Sequence, residues 1–297
     1  MEGEPKQEMH DLLPQEFSPA TFNVQPASNF EIVKKKLPEY KISFPLIVKP
    51  EVGGQGILFR KLDTEEQLKN YHNKVPTEYI VQEMITYPME VSVFYYRLPH
   101  QSKGIVTGFL HKIPLQVMGD GKQTLQQLIK QHSKAYKREA ELQIKHASNF
   151  NKVLLPGEKY MLSYAANHNR GAQFINLQHE IDDRLVSIFD KISNRLNDFF
   201  YGRYDIMCTS VEDLKQEKNF SILEYNGCGA EPNHFYDTGY TLRGAYKEIL
   251  MHWEALYQIS RYNYKQGIKY WPLMKGLQFL TATKKHYRIM KQADKFI

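Results

Sequence analysis

The most regular apolar spacing in the chain lies between residues 180 and 200. Apolar side chains recur there every three or four residues, which is the spacing of one face of an α-helix. The stripe consists of Ile181, Leu185, Ile188, Phe189, Ile192, Leu196 and Phe199. This pattern predicts an amphipathic helix over residues 180–200 that packs on the core through the stripe.

Caps and helix breakers predict the remaining helices. Thr64 and Gln67 have the spacing of a capping box, and Thr124 can cap the helix that follows the Gly119–Lys122 turn. The polar, lysine-rich segment 126–150 predicts a solvated helical excursion. Further helices are predicted at 6–13, at 29–36 with Asn29 as cap and an end before Pro38, and at 242–257.

Short runs of β-branched and aromatic residues predict strands. They lie at 44–49, 57–60, 79–83, 90–96, 104–110, 202–206 and 223–227. The first two are joined by a glycine-rich loop, which is typical of a hairpin. Strands and helices are interspersed without strict βαβ alternation, so we expect an α+β protein with antiparallel sheets.

Two of these strands carry the residues with the clearest chemistry. Side chains two apart on a strand share a face, so Arg203 lies with Asp205, and Glu224 lies with Asn226. If the strands pair, one surface holds two carboxylates, an amide oxygen and a guanidinium. Oxygen ligands suit Mg²⁺, and an arginine beside it suits a transferring phosphoryl group. A solvated strand face with salt bridges is the alternative reading.

Composition excludes several other classes of protein. The chain has 297 residues, a net charge of +6 and two cysteines, Cys208 and Cys228. Two cysteines indicate neither a disulfide framework nor a thiolate metal cluster. No run approaches the roughly 20 apolar residues of a membrane span, and the charged N-terminus does not resemble a signal peptide. The net charge fits an anionic ligand such as a nucleotide as well as a nucleic acid or a membrane surface, and we expect a cytoplasmic protein.

Three further segments can bind a nucleotide or act on a substrate, although each also has an ordinary structural explanation. Lys49 ends a buried strand before the glycine loop, where ammonium and backbone N–H groups can meet phosphates. The connector 82–85 can meet an adenine edge, and Glu90 can accept hydrogen bonds from ribose hydroxyls. His168 could act as a general base, but a solvated or hydrogen-bonded loop histidine is more common.

The order and spacing of these motifs resemble the ATP-grasp superfamily, and within it the D-alanine–D-alanine ligase-like carboxylate–amine ligases. Lys49 stands in an Ile-Val-Lys-Pro strand, as the phosphate lysine of that group does. Residues 202–205 match its Gly-Arg-x-Asp strand, and residues 224–226 match its Glu-x-Asn strand. The turn at 119–122 and the Asn-rich loop ending at Gly171 look more like the cyanophycin-synthetase branch. The resemblance covers residues 6–237.

The resemblance implies an ATP-grasp fold in which two α+β lobes clasp the nucleotide. The implied organisation is an N-terminal helical segment at 1–20, a first lobe at 21–111 with the glycine hairpin and hinge, and a second lobe at 112–258 with the metal site. A basic, aromatic C-terminal extension follows at 259–297, and its apolar side chains predict that it packs against the body. The small α/β domain that usually precedes the first phosphate lysine is expected to be absent.

The resemblance also implies a role for each site residue. The residues expected to bind ATP are Lys6, Lys49, Gly53, Gly54, Gln55, Gly56, Glu83, Met84, Ile85 and Glu90. Asp205, Glu224 and Asn226 are expected to hold two Mg²⁺ ions, for which Mn²⁺ can substitute. Arg203 is expected to act in catalysis with help from Arg170.

The implied reaction is ATP-dependent amide or peptide bond formation between a small carboxylate and an amine through an acyl phosphate. Phosphoryl transfer to a non-carboxylate acceptor and non-catalytic nucleotide binding are the alternatives. A nucleic-acid or membrane-surface binder that uses the basic extension ranks last, so no nucleic-acid partner is expected. A homo-oligomer or a partner chain could complete the substrate site in place of the absent domain.

Overall fold

The structure is a computed structural model that describes residues 5–195, 199–236 and 239–297. Leu196 of the predicted apolar stripe and Asp237 at the end of the family resemblance lie outside the described residues. The α+β class with antiparallel sheets is confirmed.

Helices and strands alternate irregularly along the chain. The helices are α1 (Lys6–Leu12), α2 (Phe30–Glu39), α3 (Glu65–Lys74), α4 (Leu125–Gln131), α5 (Glu139–Lys145), α6 (Asp183–Arg195), α7 (Val211–Lys215), α8 (Leu242–Lys265) and α9 (Leu273–Ala293). The strands are β1 (Thr21–Val24), β2 (Leu46–Pro50), β3 (Arg60–Leu62), β4 (Tyr79–Glu83), β5 (Met89–Tyr96), β6 (Ile105–Ile113), β7 (Gln116–Met118), β8 (Lys159–Met161), β9 (Gln173–Asn176), β10 (Tyr201–Cys208) and β11 (Phe220–Asn226).

The chain divides into two compact units. The first comprises Met1–His111 and Asn176–Ile297, and the second comprises Lys112–Ile175. The lobe boundaries implied by the family resemblance stay a prediction.

A four-stranded antiparallel sheet in the first unit has the strand order β1-β4-β2-β3. Its core takes side chains from α2, α3 and the end of α9, including Val33, Leu68 and Met290. The hairpin of β2 and β3 therefore exists as predicted. However, β3 begins at Arg60 because residues 55–58 form a turn in which Gln55 and Leu58 have positive φ angles of 59° and 57°.

The larger sheet of the first unit contains four consecutive neighbours in the order β11-β10-β5-β6. One face carries the core that α6 closes with Leu185, Ile188, Phe189 and Ile192, which are four members of the predicted stripe. Helix α8 packs Ala255 and Ile259 against residues of β5 and β10, and together they form a second apolar cluster. The predicted amphipathic helix is thus confirmed over its described part.

The second unit has its own core. The strands β7 and β8 pair, and Thr124 forms the predicted cap of α4, with Gln127 completing a capping box. The prediction of a solvated excursion at 126–150 is wrong, because apolar residues spaced widely along this segment converge. The buried core consists of Leu115, Val117, Leu125, Ile129, Ala135, Leu142, Phe150, Leu154 and Leu162.

Two predictions about local helix ends are wrong. Helix α2 continues through Pro38 to Glu39, because a proline in the last turn removes only one N–H bond. At the start of α3, Thr64 accepts a hydrogen bond from the backbone of Gln67, but the Gln67 side chain accepts from the backbone of Asp63. The Gln67 side chain therefore binds the N–H of Asp63, whereas the predicted capping box requires it to bind that of Thr64.

The C-terminal extension packs on the body through fewer residues than its composition predicts. Tyr287 and Met290 of α9 are buried, and Asp294 binds the Arg60 side chain at 2.9 Å. In contrast, Leu273 is 78% exposed and Trp271 is 55% exposed. The prediction that the extension packs against the body is therefore confirmed for the last turns of α9, whereas Trp271 and Leu273 near its start are not covered.

No helix within the described ranges has both the length and the apolar character that a bilayer crossing requires.

Candidate active site between the two sheets of the first unit

Four polar side chains share one face of the β10–β11 pair. Arg203 lies opposite Asn226, and Asp205 lies opposite Glu224. A bulge follows Asp205, because the next pair in register is Ile206 with Ile222. The extra residue lets Ile222 stay in the core while Glu224 turns to the polar face.

Asp205 is the centre of this polar cluster. It is 6% exposed, and the guanidinium of Arg203 approaches both of its oxygens, at 3.3 and 3.4 Å. Asn226 Nδ2 lies 3.4 Å from Asp205 Oδ2. Burial alone lowers the pKa of Arg203, but its pairing with Asp205 outweighs this and raises the pKa above its usual value. The cluster is therefore charged and desolvated, and it offers several oxygen atoms as metal ligands.

Two lysines from different elements approach the same cluster. Lys49 of β2 is buried, and its Nζ donates to the carbonyl of Leu223, the residue of the bulge, at 3.3 Å. Lys6 Nζ lies 3.9 Å from Glu224 Oε1 and donates to the carbonyl of Gly53 at 3.0 Å. Burial lowers the pKa of Lys49 and the charge of Lys6 lowers it further, whereas Glu224 opposes the shift. Such a pair of neighbouring cations suits an anionic ligand.

The glycine-rich loop beside Lys6 is packed under the C-terminal helix. A Cβ on Gly54 would lie 2.9 Å from Tyr287 Oη, and one on Gly53 would lie 3.5 Å from the end of Met290. Gln55 and Gly56 both have positive φ. The loop thus reaches the site with its backbone while α9 covers its far side.

The predicted adenine connector is only partly open. Glu83 ends β4, and its backbone N–H donates to the carbonyl of Ala20 at 2.8 Å. Met84 and Ile85 follow outside any strand or helix and are half-buried. Because the Glu83 N–H is already hydrogen-bonded within the protein, Met84 and Ile85 are better placed to contact a ligand.

Glu90 lies on the same sheet face as the metal candidates. In the β5–β10 register, Glu90 is opposite Met207 and Ser92 is opposite Asp205. Ser92 is 1% exposed and was not predicted as a site residue. Its position two residues after Glu90 on the same strand was the available signal.

A small cavity of about 20 Å³ lies among these groups. It is lined by Lys6, Met9, His10, Leu13, Lys49, Gly53, Ile80, Gln82, Leu223, Glu224, Tyr225 and Asn226. This volume holds about one water molecule. Helix α1 forms one wall, and none of its seven residues, all of them described, is buried. Its Met9 packs partly buried against the core, and the Lys6 N–H donates to the carbonyl of Glu51 at 3.1 Å, so α1 holds Lys6 at the edge of the site.

Arg170 and His168 belong to the second unit. Arg170 Nη1 binds Glu141 Oε1 at 2.9 Å, and Arg138 binds the same carboxylate at 2.7 Å. His168 lies in a 3-10 turn beside Phe174, with ring centroids 5.6 Å apart. The catalytic role of Arg170 stays a prediction.

No family model and no curated protein matches the chain. Solved structures that resemble it include the VanG D-Ala:D-Ser ligase from Enterococcus faecalis, at 15% identity and a TM-score of 0.46, over 84% of this chain and 61% of that one. The D-alanine–D-alanine ligase from Bacillus anthracis matches at 13% identity and 0.45, over 86% and 65%.

A third structure, the ATP-grasp ligase PsnB complexed with minimal precursor, matches at 14% identity and 0.45, over 86% and 60%. The chain spans about three fifths of the length of these ligases.

Proposed function

We propose that this chain binds Mg-ATP at the Lys49–Asp205 site and joins a small carboxylate to an amine. The observation that carries the proposal is the convergence of two lysines on a buried, oxygen-rich cluster that already contains an arginine. The lysines favour phosphate groups, and the oxygen-rich cluster favours a hard divalent cation. Phosphates together with such a cation therefore satisfy both sets of residues at once.

The donor set fits magnesium. Asp205, Glu224 and Asn226 offer only oxygen ligands and lie on one face, which is the chemistry that Mg²⁺ and Mn²⁺ prefer. We propose that these three residues hold two ions. The nucleotide phosphates would complete the coordination of both ions.

The cationic groups fit the phosphates. In the proposal, Lys49 and Lys6 hold phosphate oxygens, and Gly53, Gly54, Gln55 and Gly56 cover them with backbone groups. Arg203 stabilises the charge on the transferring phosphoryl group, since its guanidinium already lies in the desolvated cluster. Met84 and Ile85 meet the adenine, with Glu83 beside them, and Glu90 meets the ribose.

Bound Mg-ATP would supply the phosphoryl group that activates a carboxylate as an acyl phosphate, from which an amine displaces phosphate. The net products are an amide, ADP and inorganic phosphate. The chain's own residues orient the reactants and neutralise charge.

The test is a screen for ADP release from Mg-ATP with D- and L-amino acids and small carboxylates, with hydroxylamine added to trap acyl phosphates. A ligase releases ADP only with a carboxylate and yields a hydroxamate. ADP release without hydroxamate would instead indicate phosphoryl transfer to another acceptor. ATP binding without any release would indicate a non-catalytic binder. The Glu224→Gln variant controls for contaminating ATPases.

A further inference from the structure

A second cluster of titratable groups lies in the first unit. Glu248 and His252 stand four residues apart on α8, so they share one face of that helix. His234 comes from the 3-10 turn Asn233–Phe235, which follows β11. One ligand atom from each residue lies within 4.8 Å of the other two.

The nitrogen that α8 contributes to the cluster is buried and only loosely held. His252 is 1% exposed, and its Nδ1 lies 3.0 Å from Tyr201 Oη. Its Nε2 faces Glu248 Oε1 at 3.4 Å, an ion-pair contact that is long for a hydrogen bond. A buried nitrogen in this position is more stable when a ligand binds it more closely.

We propose that His234, Glu248 and His252 bind one Zn²⁺ ion. Two imidazoles and a carboxylate form an established zinc ligand set, with a fourth position for water. Nitrogen ligands favour zinc over magnesium, which separates this site from the oxygen-only cluster around Asp205.

The distances between the ligand atoms suit this ion. Zinc–ligand bonds of about 2.0–2.1 Å at tetrahedral angles place neighbouring ligand atoms roughly 3.3 Å apart. His252 Nε2 lies 3.4 Å from Glu248 Oε1, and His234 Nε2 lies 2.8 Å from the same oxygen. Admitting the ion requires His234 to move away from Glu248, while the ligand atoms of the two histidines already lie within 4.8 Å of each other.

The surroundings already orient the ligands. The contact of Tyr201 with Nδ1 leaves Nε2 of His252 to face the cluster, as an outer hydrogen bond does in zinc proteins. The Phe94 ring packs edge-on against His252 with centroids 4.5 Å apart. The ion would join α8 to the turn after β11.

The direct test uses the full-length wild-type protein after treatment with a chelator. The protein is titrated with Co²⁺, whose visible absorption reports four-coordinate binding, and separately loaded with Zn²⁺ in excess Mg²⁺ and gel-filtered. We expect one retained zinc per chain, one cobalt with strong visible absorption, and a higher Tm with zinc. A folded wild-type protein that retains neither metal would overturn the proposal and leave a hydrogen-bonded His–Glu–His cluster.

Variants locate the ion. His252→Gln and Glu248→Gln should lose zinc, whereas Asp205→Asn in the ATP site and His146→Gln in the second unit should retain it. Loss of zinc in Asp205→Asn with retention in His252→Gln would place the ion elsewhere and overturn the proposal. If the α8 variants do not fold, the wild-type cobalt titration still decides.

Discussion

Replacing Lys49 by methionine tests both the proposed phosphate contact and the energetic cost of burying the Lys49 ammonium. Methionine keeps most of the side-chain length and removes the ammonium. Lys49 is 7% exposed, so water has little room to replace the contact that its ammonium makes. A hydrogen bond to a charged group contributes roughly 1.5–3 kcal/mol, which predicts that ATP binds about 10- to 150-fold more weakly.

The same variant should not destabilise the protein without nucleotide. The pKa of Lys49 is lowered by burial, so the folded state disfavours its charged form. Wild-type stability should therefore rise as pH increases from the lowered pKa toward 10.5, the ordinary value. The methionine side chain of the variant cannot titrate, so the stability advantage of Lys49→Met should be largest at neutral pH and shrink toward pH 10.5.

The assay is ATP titration by calorimetry together with chemical denaturation at several pH values. Lys36→Met is the matched control, since Lys36 lies on α2 and donates to the carbonyl of Asn23. An unchanged ATP affinity in Lys49→Met would refute the phosphate contact. A loss of unliganded stability at neutral pH would refute the claim that the buried ammonium is costly.

Three further predictions concern other parts of the molecule. Glu224→Gln should lower Mg²⁺-dependent ADP release by at least about 100-fold, since it removes a charged ligand while the fold is kept; near-wild-type turnover in a folded variant would remove Glu224 from the site. Asp294→Ala should cost about 1–3 kcal/mol of unfolding free energy in denaturant, because Leu58 N–H and Arg60 both bind that carboxylate. Asp63→Ala, at an exposed ion pair with Lys61, is its control and should change stability by less than about 1 kcal/mol; equal effects of the two variants would contradict the anchoring role. Saturating Mg-ATP analogue should lower deuterium uptake in residues 51–59, which include the glycine loop, and binding without that change would remove the loop from the site.

The sequence was sufficient to place the polar residues of β10 on one face, because Arg203 and Asp205 are two apart on a regular strand. It was not sufficient for β11. The apolar residues Phe220 and Ile222 occupy even positions and Tyr225 an odd one, a change that requires a bulge. The residue that bulges is decided by the pairing with Ile206, which no local pattern shows.

Errors elsewhere had similar causes. The core of the second unit joins Leu125, Leu142 and Leu162, which are too far apart in sequence for any periodicity to connect them. In the C-terminal extension, the number of apolar residues was mistaken for burial. Contact with the four-stranded sheet, which selects Tyr287 and Met290, determines which of them are covered.

The central claim is that Asp205, Glu224 and Asn226 hold a metal that the nucleotide needs. The most direct measurement is calorimetric titration of a non-hydrolysable ATP analogue into the wild type and Asp205→Asn, each in Mg²⁺ and in chelator. The account predicts that wild-type affinity falls at least about tenfold when Mg²⁺ is removed, and that Asp205→Asn in Mg²⁺ resembles the wild type in chelator. Equal affinity in all four titrations, or no binding to the wild type in Mg²⁺, would contradict it.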